Sequence, residues 1–270
     1  MSTSMVDTFG GGSMPEAYRL HLEPAIFRPW AERLIDLVGV EEGAEVLDVA
    51  SGTGAVARTA ARRAGRQGRV VASDSSAEML SQVLIGRRPD DAPIQTLQCP
   101  ATSLDLADAS LDAVFCQQGF PFIEDRLGAA IQMRRVLRPG GVAGVAVWLS
   151  GVRLDPFETY AEVLAQEDID PPFPAAYDMA HFTMSEDEIA EILTRAGFDN
   201  VEARVNELEV SFASGEAAAK ALWGTPYSKA LGVLGSARQE GVLAKVAESL
   251  APQGGPPSWT MTAVLGRGRA

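Results

Sequence analysis

The chain has 270 residues, enough for one large α/β domain, or one domain plus a small appendage, and enough to bury a full core without staples. Its formal charge of -13, from 36 acidic and 23 basic side chains, argues against binding a nucleic-acid backbone and against docking on an anionic membrane surface. Cys99 and Cys116 supply neither a disulfide framework nor zinc-ligand spacing, so no metal is expected and both read as buried thiols.

Residues 1–13 are small and polar and read as a flexible tail. Across residues 15–40, Ile26, Phe27, Trp30, Leu34, Ile35 and Val38 recur at helical spacing, and Pro24 and Pro29 are expected to break this stretch into two or three short helices. A first strand at 45–50 runs into the glycine turn Gly52-Thr53-Gly54, and a helix of small and basic residues follows at 55–64. A second strand, 69–73, ends at Asp74, and Ser76 caps a helix that stops near Gly86. Strands at 94–99 and 111–116, a helix at 126–136, a turn at 138–141 and a strand at 142–148 complete an alternating pattern. Such alternation predicts an α/β, Rossmann-like, doubly wound and mostly parallel seven-stranded sheet with helices on both faces. Residues 151–183 are rich in proline and aromatics and read as an insertion. Ser185 to Glu188 form a capping box for a helix that Gly197 ends; a strand at 201–212, helices at 215–222 and 236–250, and a strand at 258–265 follow. No apolar run reaches the length of a membrane span and the N-terminus has no secretory pattern, so a cytoplasmic protein is expected.

Strand, tight glycine turn and helix open a nucleotide-binding unit. Gly52 and Gly54 tolerate positive φ and leave room for a ligand against the backbone, while the helix amides behind them point into that space. Asp74, about twenty residues on at a strand tip, can accept both hydroxyls of a ribose. That suits NAD or any adenosine-bearing ligand. Asp48, just before the turn, would be poorly placed beside a pyrophosphate and suits a ligand carrying an amino group and a sulfonium. Met79, one helical turn beyond Asp74, can lie on an adenine face.

Together the segments VLDVASGTG, VVASDSSAEML, SLDAVFCQQGF and RRVLRPGGVAGVAVW, over roughly residues 42–150, resemble the class I S-adenosylmethionine-dependent methyltransferases. The flavour is similar to the small-molecule group that holds quinone C-methyltransferases and natural-product methyltransferases. The resemblance implies that Asp48 and the turn Ser51, Gly52, Thr53 and Gly54 hold the methionine portion, with Asp74 and Ser75 on the ribose. It implies Met79 on the adenine, Ala101 and Thr102 at the adenine edge, and Gln117 and Gln118 on the sulfonium side. Pro100 stands where similar proteins often have an aspartate for the adenine amino group, which leaves that group to the Cys99 carbonyl, Thr102 or water.

In this reading 14–270 is one methyltransferase domain: a helical lid at 14–40, a cofactor-binding half at 41–150, a lid insertion at 151–184 and a C-terminal part at 185–270. The lid aromatics would be Phe157, Tyr160, Phe173, Tyr177 and Phe182, with Phe120 and Phe122 as floor; Tyr18, Phe122 and Tyr177 are the candidate acceptor contacts. Of the two histidines, His21 and His181, His181 is the candidate general base, should the acceptor need one. The expected reaction is in-line methyl transfer from S-adenosylmethionine to a small, fairly apolar acceptor, leaving S-adenosylhomocysteine, by a monomer or homodimer without nucleic-acid or membrane partners. The alternatives are the same fold used for another reaction such as cyclisation, or for binding only, and an NAD-dependent oxidoreductase.

Overall fold

The computed structural model describes residues 14–170, 179–252 and 255–270. Helix α1 (Met14–Ala17) leads into a π-helix, Tyr18–Phe27, and then α2 (Arg28–Val38). The first parallel units are β1 (Glu45–Val49), α3 (Ala55–Ala64), β2 (Arg69–Asp74), the single turn of α4 (Ala77–Leu80) and β3 (Ile94–Gln98). Then come β4 (Leu111–Gln117), α5 (Arg126–Val136) and β5 (Leu137–Leu149). The remainder holds α6 (Phe157–Gln166), β6 (Thr183–Met184), α7 (Glu186–Arg195), β7 (Asp199–Ser211), α8 (Gly215–Lys220), α9 (Ser228–Gly232), α10 (Ser236–Leu250) and β8 (Ser258–Arg269).

The strands form one sheet in the order β3-β2-β1-β4-β5-β8-β7, with the two-residue β6 paired to the end of β5. β1 to β5 run parallel, and β8 is antiparallel to both β5 and β7. This is the Rossmann-like architecture the alternating pattern predicts. Side chains alternate across each strand and feed two cores. Val46, Val70, Ala72 and Phe115 face the α2 and α3 side with Trp30, Leu34 and Ala57, whereas Leu47, Val71, Val114 and Cys116 face the α5 and α7 side with Met133, Ile189 and Leu193. Strand order reverses between β1 and β4. At such a switch point the connections leave to opposite faces and open a crevice beyond the strand ends.

Three expectations are corrected. Pro24 does not break the N-terminal helix; it lies inside the π-helix, whose wider winding takes up the ring that an α-helix would reject. Pro29 sits in the first turn of α2, where its missing N–H is not needed. Residues 138–141 turn within β5 rather than before it: Leu137 pairs with Leu111, the register then slips, and Val142 pairs with Ala113. Past Leu80 the chain continues as turns rather than helix as far as Gly86, which has φ +84°. The capping box at Ser185 forms as the sequence indicates. α9, Ser228–Gly232, has no counterpart among the expected elements.

Candidate functional site

A cavity of about 1060 Å³ opens in the crevice, floored by the ends of β1, β2 and β4. Asp48 reaches it from the last turn of β1. The side chain is 1% exposed, and Oδ2 accepts a hydrogen bond from Ala57 N at 2.9 Å, tying the strand to the first turn of α3. Burial pushes the carboxyl up to about 8, against the pull of the Ala57 bond and helped by the nearby Asp74 charge.

The glycine turn curls above it. Ala50, Gly52 and Gly54 all have positive φ, at 52°, 53° and 90°. A Cβ on Gly52 would meet nothing within 4 Å, so the turn leaves free room where a ligand could lie on the backbone. Gly54 works differently. It does not line the cavity, and a Cβ there would press on Val83 and Arg58 at 3.0–3.1 Å, so its place is behind the wall.

Asp74, at the tip of β2, accepts from Gly52 N at 2.8 Å through Oδ2 and from Ser76 N at 2.9 Å through Oδ1. Burial raises its pKa, opposed by these backbone bonds. The carboxylate thus locks the turn to the second strand and keeps one lone pair on each oxygen for a ligand. Met79 is 5% exposed on the cavity wall, its amide held by the Ser76 hydroxyl. Ser75, Cys99, Pro100, Ala101 and Thr102 form the adjoining rim.

Gln117 and Gln118 end β4. Gln117 Nε2 donates to Phe27 O at 2.9 Å; Gln118 has φ 56°, and its Oε1 accepts from Trp148 N at 3.0 Å. Among the described residues, four buried side-chain polar atoms lack a hydrogen-bond partner, and three of them belong to this wall: Ser51 Oγ, Gln117 Oε1 and Gln118 Nε2. Such a concentration marks a surface built around a polar molecule, since a lone buried donor or acceptor is costly.

The far half of the cavity is aromatic. Tyr18 stacks on Phe27 with centroids 4.7 Å apart, and Phe27 tilts against Trp148 at 6.2 Å. Burial, then the charges of Glu23, Asp74 and Asp48, keep the Tyr18 phenol protonated well above its ordinary range. Phe122 meets Phe182 at 5.2 Å, and His181 stands edge-on to Phe182. Leu154 and Phe157 add the insertion's other contribution.

The N-terminal helix is fastened to the glycine turn from behind. Glu23 and Arg58 form an ion pair with both side chains under a tenth exposed. Thr53 Oγ1 donates to Glu23 Oε2 at 2.7 Å, and Arg58 Nη1 donates to Thr53 O at 2.6 Å and Val83 O at 2.8 Å.

All but two of the candidate site residues line this one cavity, His181 included; Gly54 stands behind it, and Tyr177 lies outside the described residues, as do Phe173 and the tail at 1–13. Phe120 is fully buried in the core rather than on the floor, and Tyr160 is a core residue whose hydroxyl donates to Ala218 O at 2.6 Å. His21 is not on the wall. Sequence reasoning missed Trp148, Leu22 and the segment Gly224 to Tyr227, which reaches the cavity from the C-terminal part. The one usable signal was Gly224: a Cβ there would come within 2.7 Å of the Tyr18 backbone.

Residues 47–145 match the family model described as a methyltransferase domain. The ubiquinone/menaquinone biosynthesis C-methyltransferase UbiE of Hahella chejuensis is 39% identical over 120 residues, which cover 43% of this chain and 47% of that protein. Its counterpart in Xylella fastidiosa strain M12 is 35% identical over 125 residues, 44% and 48% of the two chains. The chain thus spans about half the length of the curated relatives it matches. Among solved structures, a SAM-dependent methyltransferase from Aquifex aeolicus superposes with TM-score 0.51 at 22% identity, covering 74% of this chain and 94% of that one. A phosphoethanolamine N-methyltransferase from Haemonchus contortus, in complex with S-adenosylhomocysteine, superposes with TM-score 0.57 at 17% identity, covering 99% and 60%. These two likenesses establish the fold. Residues 47–145 are thus similar to a methyltransferase domain, the likeness the order of the sequence motifs implied.

Proposed function

We propose that the chain transfers a methyl group from S-adenosylmethionine to a small, fairly apolar acceptor, releasing S-adenosylhomocysteine. The observation that carries this is the division of a single cavity: Asp48 and Asp74 bracket the open backbone of Gly52 at one end, and an aromatic chamber fills the other. The residues fit the cofactor. Two carboxylates suit a cationic ligand with a ribose, and the unpartnered Ser51, Gln117 and Gln118 atoms offer further polar contacts after small side-chain adjustments.

When bound, S-adenosylmethionine supplies an electrophilic methyl on a sulfonium. Asp48, with the Ser51 to Thr53 backbone, holds the methionine portion, and Asp74 with Ser75 takes the ribose. Met79, Ala101 and Thr102 enclose the adenine, and Pro100, which lacks an N–H, leaves its amino group to the Cys99 carbonyl or Thr102. Gln117 and Gln118 face the sulfonium side. Tyr18, Phe27, Trp148, Phe157 and Phe182 would exclude water and orient the acceptor toward the methyl group. His181, on the cavity wall, would take a proton from a hydroxyl or amine acceptor. Residues 14–270 act as one domain, with 14–40 and 151–184 as covers over the cofactor half 41–150. A cytoplasmic monomer or homodimer goes with this reading.

Calorimetric titration with S-adenosylhomocysteine and with NADH tests the pocket: the thioether binds and the dinucleotide does not, and tight binding of NADH alone would reject the proposal. Methyl transfer from radiolabelled cofactor across phenols, amines and polyketide-like acceptors tests the chemistry. Cofactor binding without transfer to any of them would count against it.

A further inference from the structure

The walls of the cavity carry charge unevenly. Asp48 and Asp74 stand at the ends of β1 and β2; Arg126, the first residue of α5, also lines the cavity. Apart from His181, Arg126 is the only basic residue among those described on the wall, in a chain with 36 acids and 23 Lys and Arg. Its Nε donates to Phe120 O at 3.1 Å, which fixes the plane of the guanidinium and leaves Nη1 and Nη2 without an ion pair to any described residue. The two neighbouring acids on the same rim do not neutralise it: Asp125 caps α5, its Oδ1 accepting from Gly128 N at 2.8 Å, and Glu124 is exposed. The segment from β4 that leads into Arg126 carries Phe122, whose ring meets Phe182 beside His181. Arg126 therefore belongs to the aromatic, acceptor half.

We infer that the acceptor carries an anionic oxygen group, a carboxylate or a phenolate, on its apolar body, and that Arg126 binds it. The inference rests on the methyl-transfer reading and sharpens its substrate class. A guanidinium already held through one nitrogen loses little freedom on engaging an oxyanion with the other two. An aromatic, partly water-excluded chamber makes that contact stronger than it would be at the surface. It also sorts ligands: a neutral isostere leaves the charge with no partner.

The probe is a matched pair, 2-naphthoate and 2-naphthamide, titrated into the full chain saturated with S-adenosylhomocysteine at fixed ionic strength. Wild type binds the carboxylate about tenfold or more tighter than the amide, the scale of a hydrogen bond to a charged group. In Arg126→Gln the ratio falls to about one, and in Arg126→Lys part of the preference returns. S-adenosylhomocysteine binds both variants as it binds wild type. A wild-type ratio near one, no binding of either probe, or a preference that survives Arg126→Gln would overturn the inference. Loss of S-adenosylhomocysteine binding in both variants would make Arg126 a structural residue and overturn it equally. Failure of wild type to bind S-adenosylhomocysteine would instead bring down the methyl-transfer reading itself.

Discussion

Asp48 makes a sharp prediction about pH. Its carboxyl is buried and pushed up to about 8, so near neutrality it holds a proton that a cationic ligand must displace. Binding and deprotonation are then linked, and the apparent affinity for S-adenosylhomocysteine rises with pH until Asp48 ionises unaided. With a pKa of about 8, affinity at pH 7 lies about tenfold below the plateau and at pH 6 about a hundredfold below, about 1.4 kcal/mol per unit. Asp74, also raised by burial, bends the curve the same way, so the Asp48→Asn variant is the necessary control. The amide keeps an oxygen for the Ala57 N–H but loses the titration. Calorimetry in two buffers of different ionisation enthalpy measures affinity and proton release together. A flat profile in wild type, or the same slope in Asp48→Asn, would refute the argument. The sign for folding is the reverse. A carboxyl whose folded pKa lies above its unfolded value contributes stability that is fully present below the unfolded pKa, about 4, and lost as pH rises through about 8. Ligand-free wild type should lose stability across that window relative to Asp48→Asn, as thermal melts at its two ends will register.

Asp74→Ala removes the acceptor for Gly52 N–H and the one proposed for the ribose, and should weaken S-adenosylhomocysteine binding by about 1.5–3 kcal/mol by calorimetry; an unchanged affinity would mean the ribose lies elsewhere. Gly52→Val places a branched side chain in the open room above the turn, at a backbone φ of 53° that costs it roughly 1–2 kcal/mol. The variant should stay folded by circular dichroism and show no binding, and retained affinity would move the pocket. Glu23→Gln leaves Arg58 charged and under a tenth exposed without its counterion, which should cost about 3–5 kcal/mol in urea unfolding. A loss below about 1 kcal/mol would show that water reaches Arg58.

Residues 41–150 were readable because their signals are local. Val46 to Val49 alternate between two cores, Gly52 needs a left-handed backbone, and Ser76 and Ser185 announce their own helices. Other parts were less readable because distant contacts decide them. Pro24 is tolerated in a helix whose neighbouring residue, Glu23, is held by Arg58, 35 positions away. The slip between Leu137 and Val142 depends on pairing with β4, which a turn signal at Pro139-Gly140 cannot distinguish from a strand end. Gly224 to Tyr227 reach the cavity only because the C-terminal part folds back onto Tyr18. Gly54 is ambiguous for a physical reason: a positive φ is needed equally by a backbone that faces a ligand and by one that must squeeze past Val83.

The fastening of Glu23 to Arg58 bears on traffic. A helix held at mid-span to the glycine turn, by the buried Glu23–Arg58 pair and the Thr53 hydroxyl on Glu23, makes a poor door. Under the proposed function, reactants and products would then pass along the other edges of the chamber, beside Phe157 and His181 or past Pro226, and those edges would set the speed of exchange.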